Sequence, residues 1–451
     1  MKTIIYPGRP INGTLPNKDN LHIPGDKSLS HRAALFAALA IGKSKINNFQ
    51  VSGVTRPLLN ALKQLGVDWQ LDGTDLTVTG CGLQGLQPAN EPINCGNSAT
   101  TLRLLAGALS ATGMSAILDG SDGLRRRPMD RIVLPLQRMG VPILAAEDGG
   151  APLTLTTRDK DIALNNIQYT LPVASAQVKS CLLLAALATA GTSTLFEPGP
   201  SRDHTENMLA NMGVEVSNRI LKDETSVMYA TRITPPTSPL RPLSFTIPGD
   251  ISAAAFLIVA ALITPGSDLT LLNVGLNQTR TGLLDALKAM GADLQVEILT
   301  QEGGEPAGKI TVRHSPLNAI EVDGPLVVRM IDEFPIFAVA AAFANGRTIV
   351  RDAYELHLKE SDRIAAICQE LTRIGVNIQE TPDGFIIEGS TAPGGGEVES
   401  HGDHRLAMSL TVAGLACQNP ITVRGAEMTA ESFPDFIPVL QALGSNIQME
   451  Q

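Results

Sequence analysis

ALKQLGVDW (Ala61–Trp69) reads as the last turns of an amphipathic helix, then a glycine, then the first residues of a strand. Glycine is favoured just past a helix C-terminus because it accepts positive φ without a Cβ clash. The same phrase returns as PLQRMGVPI (Pro135–Ile143), MLANMGVEV (Met208–Val216), ALKAMGADL (Ala286–Leu294), ELTRIGVNI (Glu370–Ile378) and VLQALGSNI (Val439–Ile447). Its glycines are Gly66, Gly140, Gly213, Gly291, Gly375 and Gly444, at intervals of 69 to 84 residues. Chance yields one or two such phrases. Six at a near-constant period indicate duplication of one structural unit.

A second element recurs between them. Ala/Leu-rich helical patterns run into a turn and a β-branched stretch, as in HRAALFAALAIGKSKINNF (His31–Phe49), LRLLAGALSATGMSAIL (Leu102–Leu118) and VKSCLLLAALATAGTSTLF (Val178–Phe196). These helices are apolar nearly all round, which places them inside, shielded on every side. Asp72-Gly73, Gly149-Gly150 and Asp383-Gly384 are hairpin signals. The unit is therefore β-α-β-α-β-β, used six times in an α/β chain. Buried helices with sheets around them invert the usual barrel. The Pro-rich TPPTSPLRP (Thr234–Pro242) is the best linker and divides the units three and three. We expect two lobes, residues 21–241 and residues 1–20 plus 242–451, with a substrate site in the cleft between them.

Composition narrows the function. The chain has 451 residues, 43% hydrophobic, and a net charge of −10, which argues against general binding of nucleic acid or acidic membranes. Five cysteines without CxxC or CxxH spacing argue against zinc and redox motifs and suit a reducing compartment. Pro7 and Pro10 fall where a signal peptide needs its apolar core. The apolar run Ala253–Ile263 is too short to span a bilayer. A cytoplasmic protein is expected.

Cations gather where helices begin. PGDKSLSHR (Pro24–Arg32) is not a P-loop, since Asp26 separates Gly25 from Lys27. It reads as a helix start with Ser28 as cap. Lys27 then sits at the positive end of a helix dipole, and Arg32 lies one turn from Ser28; a bound anion would relieve both. CGNSATTLR (Cys95–Arg103) offers a Gly/Ser/Thr turn of backbone N–H groups. LRRRPMDR adds Arg125, Arg126 and Arg127, which alone would be a solvated basic turn. SAQVKS carries Ser175, Gln177 and Lys179; SRDHTE carries Arg202 and His204; GDHR carries His404 and Arg405. HLKESDR sets Lys359 and Arg363 four apart, a repulsive pair on a helix unless an anion lies between them. Together these imply a cleft for small, multiply anionic molecules. Asp332 and Glu333 open an apolar helix, where dipole compensation is the plainer role for Glu333. Glu360 lies between Lys359 and Arg363. A carboxylate in a cationic cleft can take a proton from a hydroxyl, and two can divide base and acid roles.

In order, PGDKSLSHRA, GNSATTLRLL, RRRPMDR, PVASAQVKS, SRDHTE, PGDISAAAF, MIDEFPI, LKESDR, GDHRLAM and SFPDF resemble the EPSP synthase family, the 3-phosphoshikimate 1-carboxyvinyltransferases, over nearly the whole chain. The resemblance implies a two-lobed inside-out α/β barrel of six repeated βαβαββ units. It implies transfer of the enolpyruvyl group of phosphoenolpyruvate to the 5-hydroxyl of shikimate 3-phosphate, in chorismate and aromatic amino-acid biosynthesis. No metal or organic cofactor is implied, and a monomer acting on small molecules is expected. Residue by residue, it implies shikimate 3-phosphate on Lys27, Ser28, Arg32, Ser175, Gln177, Arg202, Asp332 and Lys359. Phosphoenolpyruvate falls to Lys27, Ala99, Arg127, Gln177, Arg363 and Arg405. Asp332 would be the proton acceptor, Glu360 would handle the C3 proton, and Lys27 would assist both ligands.

Two positions depart from the family. TAESFPDF has Glu431 where many members have a phosphoenolpyruvate-binding Lys, and Glu431 is given no catalytic role. Ala99 stands where glyphosate-sensitive members have Gly, so weak glyphosate binding and tolerance are expected. The nearest rival is the related transferase acting on UDP-N-acetylglucosamine. That family carries a donor-reactive loop Cys, and Cys95 is the only Cys in a motif loop here. A non-catalytic anion-binding repeat protein is the rival from another class, disfavoured by the presence of both candidate acids.

Overall fold

The computed structural model describes residues 1–16, 21–222, 227–389 and 393–450. All six glycine phrases form one kind of helix end. The helices are Arg56–Gln64, Asp130–Arg138, His204–Asn211, Gly282–Ala289, Arg363–Arg373 and Phe436–Ala442. The glycine after each has φ between +80° and +116°. It donates to the carbonyl three residues back at 2.9–3.1 Å, and the next residue donates five back at 2.9–3.0 Å, as Val67 does to Leu62. This double closure satisfies carbonyls that a helix end otherwise leaves orphaned, and it needs a left-handed residue.

The apolar helices are inside, as their patterning requires. They are Lys27–Leu39, Ala99–Thr112, Ala176–Ala185, Ile251–Ile263, Phe334–Ala342 and His404–Gly414. Every residue of Ile251–Ile263 and of Phe334–Ala342 is buried. At Gly107 the Ala99 and Ala176 helices touch so closely that a Cβ would lie 2.2 Å from the Cys181 carbonyl oxygen. That contact sets how near the starts of these two helices come to each other.

Among the described residues, six four-stranded sheets accompany the six helices. In one, Gln168–Thr170 runs parallel to Ser193–Glu197, which pairs antiparallel with Val227–Thr234 and through it with Glu215–Lys222. Three sheets recruit strands distant in sequence. Ser244–Thr246 pairs with Ile41–Asn47, and Asn12–Leu15 pairs with Asp268–Gly275. Lys2–Tyr6 lies between Ile421–Arg424 and Asn446–Glu450. Among the described residues, no helix is long and apolar enough to cross a membrane.

The chain forms two compact units, each with its own hydrophobic core. The N-terminal unit is Gly25–Ile247 with Gln301–Glu305; the C-terminal unit is Met1–Pro24, Pro248–Thr300 and Pro306–Gln451. These limits differ from those read in the sequence. Residues 242–247 stay with the N-terminal unit because Ser244–Thr246 extends its sheet and Leu243 N donates to Ser44 Oγ at 3.0 Å. Residues 21–24 join the C-terminal unit, where the Pro24 carbonyl accepts from Asp250 N at 2.8 Å. Residues 301–305 join the N-terminal unit, where Glu302 accepts from Thr246 N and Glu305 pairs with His204. Residues 17–20 of the expected boundary lie outside the described residues. Two hairpins are also displaced by one residue: Asn377–Thr381 and Gly384–Glu388 turn through Pro382-Asp383, so Gly384 is a strand residue, and Asp68–Asp72 and Asp75–Cys81 turn through Gly73-Thr74, so Asp72 is one too.

Candidate active site

In the N-terminal unit the starts of the three inner helices lie within side-chain reach of one another. Asp26, and not Ser28, caps the first: its Oδ1 accepts from Leu29 N at 2.9 Å. Ser28 is already helical, and its Oγ accepts from Arg202 Nη1 at 3.1 Å. Arg32 is buried and donates to Ser28 O, Thr205 Oγ1 and Ser180 Oγ at 3.0, 2.8 and 2.7 Å. Ser98 caps the second helix, whose first residue is the buried Ala99. Ser175 caps the third. Gln177 is fixed from two sides: its Oε1 accepts from Arg103 Nη1 at 2.7 Å and its Nε2 donates to Thr100 Oγ1 at 3.0 Å. The serine caps are neutral, so two helix dipoles keep their positive ends uncompensated beside Lys27, Arg32 and Arg202. This is an anion-binding arrangement.

The run of three arginines divides. Arg125 is exposed and held by Asp119 at 2.6 Å, an ordinary surface pair. Arg127 is half-buried. Lys179, grouped in the sequence with the anion-binding cations, has a structural role instead. It is buried between Glu197 and Glu206, at 2.7 and 2.8 Å. Burial alone would lower the pKa of its ammonium, but the two carboxylates prevail and raise it.

The C-terminal unit caps its inner helices with acids. Asp250 accepts from Ser252 N, and Asp403 accepts from Arg405 N, both at 2.8 Å. Glu333 occupies the third cap position. Asp332 is 17% exposed and lies 3.4 Å from Arg363 Nη1, 3.7 Å from Lys359 Nζ and 3.8 Å from Arg405 Nη2. Arg363 is buried, with Nε on Asp403 and Nη2 on Glu360, each at 2.8 Å. Burial works against its charge, yet Asp403, Glu360 and Asp332 together raise its pKa above the ordinary arginine value. Burial likewise opposes ionisation of Asp403, but Arg363 and His404 hold its pKa below the usual carboxylate range. Lys359 precedes the helix that Arg363 opens, so the expected repulsion along a helix does not arise. The anions that offset Arg363 belong to the protein itself. Glu431 lies 3.5 Å from His404 Nδ1.

The arrangement thus offers two partly exposed carboxylates, Asp332 and Glu360, among fixed cations. Such groups can move protons on a bound anion. The sequence reading passed over the residues that aim the others: Thr205 and Ser180 on Arg32, Thr100 and Arg103 on Gln177, and Asp403 on Arg363. Thr205 and Asp403 stood inside quoted motifs, SRDHTE and GDHR. Ser180 stood in SAQVKS, and Thr100 and Arg103 in CGNSATTLR, but nothing in those short stretches indicates which side chain each one meets. Asp203, His204 and Glu305 bring ligand-type atoms within 4.8 Å of one another, with His204 Nδ1 hydrogen-bonded to Glu305 at 2.8 Å. The Cys95 thiol is buried, and burial, with Asp119 adding to it, pushes its pKa up to about 12. It stays protonated, which removes the nucleophile that the sugar-nucleotide reading required.

His31 joins the first two helix starts. Its ring nitrogens lie 2.8 Å from Lys27 O and 3.0 Å from Val54 O, and Nε2 lies 3.3 Å from Ser98 Oγ. Burial pushes its pKa down to about 4, with the Lys27 and Arg32 charges acting in the same direction. An unfolded chain protonates near 6.5, so between 6.5 and about 4 it binds a proton that the folded ring refuses. Stability is therefore full above 6.5 and falls as pH drops through this window, by up to about 3 kcal/mol. His31→Gln should remove that share of the slope. Melting temperature against pH for both proteins is the check, and parallel curves would contradict it.

Comparison with known proteins agrees with this geometry. The EPSP synthase (3-phosphoshikimate 1-carboxyvinyltransferase) family model matches residues 11–440. A 3-phosphoshikimate 1-carboxyvinyltransferase of Synechococcus sp. (strain JA-3-3Ab) is 46% identical over 429 residues, 94% of each chain. One from Coxiella burnetii (strain RSA 493 / Nine Mile phase I) is 43% identical over 428 residues, again 94% of each. The solved EPSP synthase of Acinetobacter baumannii superposes with a TM-score of 0.85 at 39% identity, covering both chains fully. The enolpyruvyl transferase NikO from Streptomyces tendae shares the fold, with a TM-score of 0.75 at 20% identity over 99% of this chain and 98% of that one.

Proposed function

The chain belongs to the EPSP synthase (3-phosphoshikimate 1-carboxyvinyltransferase) family, and from that premise we propose what its side chains do. The enzyme joins the enolpyruvyl group of phosphoenolpyruvate to the 5-hydroxyl of shikimate 3-phosphate and releases phosphate. Shikimate 3-phosphate is held by Lys27, Ser28, Arg32, Ser175, Gln177, Arg202, Asp332 and Lys359. Phosphoenolpyruvate is held by Lys27, Ala99, Arg127, Gln177, Arg363 and Arg405. Each ligand carries a carboxylate and a phosphate, and guanidinium forks suit both.

The observation that carries this reading is Asp332, a partly exposed carboxylate with Lys359, Arg363 and Arg405 within 4 Å. Asp332 accepts the hydroxyl proton as that oxygen bonds to C2 of phosphoenolpyruvate. Glu360 delivers a proton to C3. In the second step the C2–phosphate bond breaks, Glu360 recovers the C3 proton, and phosphate leaves with the proton from Asp332. The fixed cations stabilise the tetrahedral intermediate, which keeps all the negative charge of its parents. No step calls on a metal or cofactor. The five cysteines are free thiols, four of them buried, which supports placement in the cytoplasm. We take the enzyme to act as a monomer.

Ala99 supports a finer reading, glyphosate tolerance. It is the first residue of its helix, is buried, and follows the Ser98 cap, at the helix start assigned above to phosphoenolpyruvate, where an added methyl narrows the room for a longer ligand. Phosphate release from phosphoenolpyruvate plus shikimate 3-phosphate, with and without millimolar glyphosate, tests both levels. Activity is expected in both wells, with none when UDP-N-acetylglucosamine replaces the shikimate ligand. Ala99→Gly should bind glyphosate about tenfold or more tightly, the usual effect of one methyl in a close pocket. An unchanged inhibition constant would remove Ala99 from that role.

A further inference from the structure

Glu333 does not do what its position suggests. It occupies the cap place of the helix Phe334–Ala342 yet makes no cap hydrogen bond. Its side chain is buried, and Oε1 instead accepts from Ser252 Oγ. Ser252 Oγ in turn accepts from Arg280 Nη2 at 2.8 Å, and the same nitrogen donates to Asp250 at 3.0 Å. Glu333 is thus anchored from behind through a serine to a buried arginine. Its Oε2 has no hydrogen-bond partner among the described residues. A buried carboxylate with an open oxygen is costly unless the charge is used.

Arg405 approaches the same oxygen that Ser252 holds. Glu333 Oε1 is 4.0 Å from Arg405 Nη1, and Asp332 Oδ2 is 3.8 Å from Arg405 Nη2. The Arg405 guanidinium donates no hydrogen bond among the described residues, although it is nearly buried. Arg363, by contrast, is hydrogen-bonded to Asp403 and Glu360 at 2.8 Å. One guanidinium is locked; the other is steered by two charges and keeps its N–H donors.

We propose that Glu333 is a positioning residue for Arg405. Anchored through Ser252, it holds the guanidinium by charge alone, opposite Asp332, so that the N–H fork stays turned to an incoming carboxylate or phosphate. The inference rests on the preceding reading, in which Arg405 binds phosphoenolpyruvate.

Glu333→Gln is the first test. It is nearly isosteric and still accepts from Ser252, but it lacks the charge. Steady-state kinetics should show KM for phosphoenolpyruvate raised about tenfold or more, the order of the Glu333–Arg405 attraction at about 4 Å that holds the guanidinium in place; a lowered KM, the sign of Glu333 merely repelling the anion, would overturn the proposal. The value of kcat should stay within about threefold and KM for shikimate 3-phosphate should not move, the pattern of lost ground-state binding. Glu333→Asp, which keeps the charge, should recover most of the phosphoenolpyruvate affinity. Ser252→Ala removes the anchor and leaves the charge, so it should raise the same KM by a smaller factor. It decides the matter if Glu333→Gln fails to fold. An unchanged phosphoenolpyruvate KM in the folded Gln variant, or in Ser252→Ala where that variant is the one that folds, would overturn the proposal. So would a lower kcat with both KM values raised together and a lower melting temperature, the pattern of a general structural loss. Failure of the wild-type enzyme to release phosphate would instead sink the reaction itself.

Discussion

Asp332→Asn is expected to fold normally and to lose about 10²- to 10⁴-fold in kcat, the range that one positioned proton acceptor contributes. Asparagine matches the volume and keeps an acceptor for Arg363, which reaches Asp332 at 3.4 Å. What it lacks is a lone pair basic enough to take the hydroxyl proton. KM for shikimate 3-phosphate should rise only modestly, because the amide still meets the ring hydroxyls. The measurement is phosphate release under saturating ligands, with melting temperature as the control. A kcat within tenfold of wild type would move the base elsewhere, and Glu360→Gln would then be the next variant to read.

Lys179→Met should destabilise the N-terminal unit by about 3–5 kcal/mol, the cost of removing one partner from a buried ionic cluster. For a unit of this size that is on the order of 10 °C in melting temperature. The mechanism has a pH signature. Without the ammonium, Glu197 and Glu206 remain buried with uncompensated charge, and burial already raises the Glu206 pKa above the ordinary value even with Lys179 beside it. A carboxyl whose folded pKa lies above its unfolded one stabilises below the unfolded value and loses that contribution as pH rises through the folded one. The deficit of the variant should therefore be largest at neutral and alkaline pH and shrink toward pH 5. Thermal melts across that range are the check, and a deficit independent of pH would mean that lost packing, not charge, dominates.

These two expectations show how far the chain could be read before it was seen folded. Gly66 and its five counterparts announced the repeat, because a left-handed helix end tolerates few other residues and the requirement is local. The inner helices were equally plain, since burial on every side forbids a polar stripe. Lys179 was misjudged for the same local reason. Its partners Glu197 and Glu206 lie one strand and one helix away in sequence, and nothing near SAQVKS indicates that two acids arrive. Serine is a good cap, which points to Ser28, yet Asp26, two residues earlier, accepts from Leu29 N and starts the helix sooner. The candidate acids were found because they stood beside cations in short motifs. The link from Glu333 through Ser252 to Arg280 was not, since these residues meet only through tertiary packing. The unit limits slipped for the related reason that Ser244–Thr246 closes a sheet begun two hundred residues earlier.

That borrowing of distant strands has a consequence for biogenesis. The ribosome delivers the chain N-terminus first. Lys2–Tyr6 emerges some four hundred residues before both its neighbours, Ile421–Arg424 and Asn446–Glu450. Until then this strand waits with both edges open. The segments of the N-terminal unit end at Glu305, so all of them are made before residues 306–451. The nascent protein thus carries every segment of one unit and one orphaned strand. A chaperone, or a fast-forming neighbour, has most to protect at that first strand.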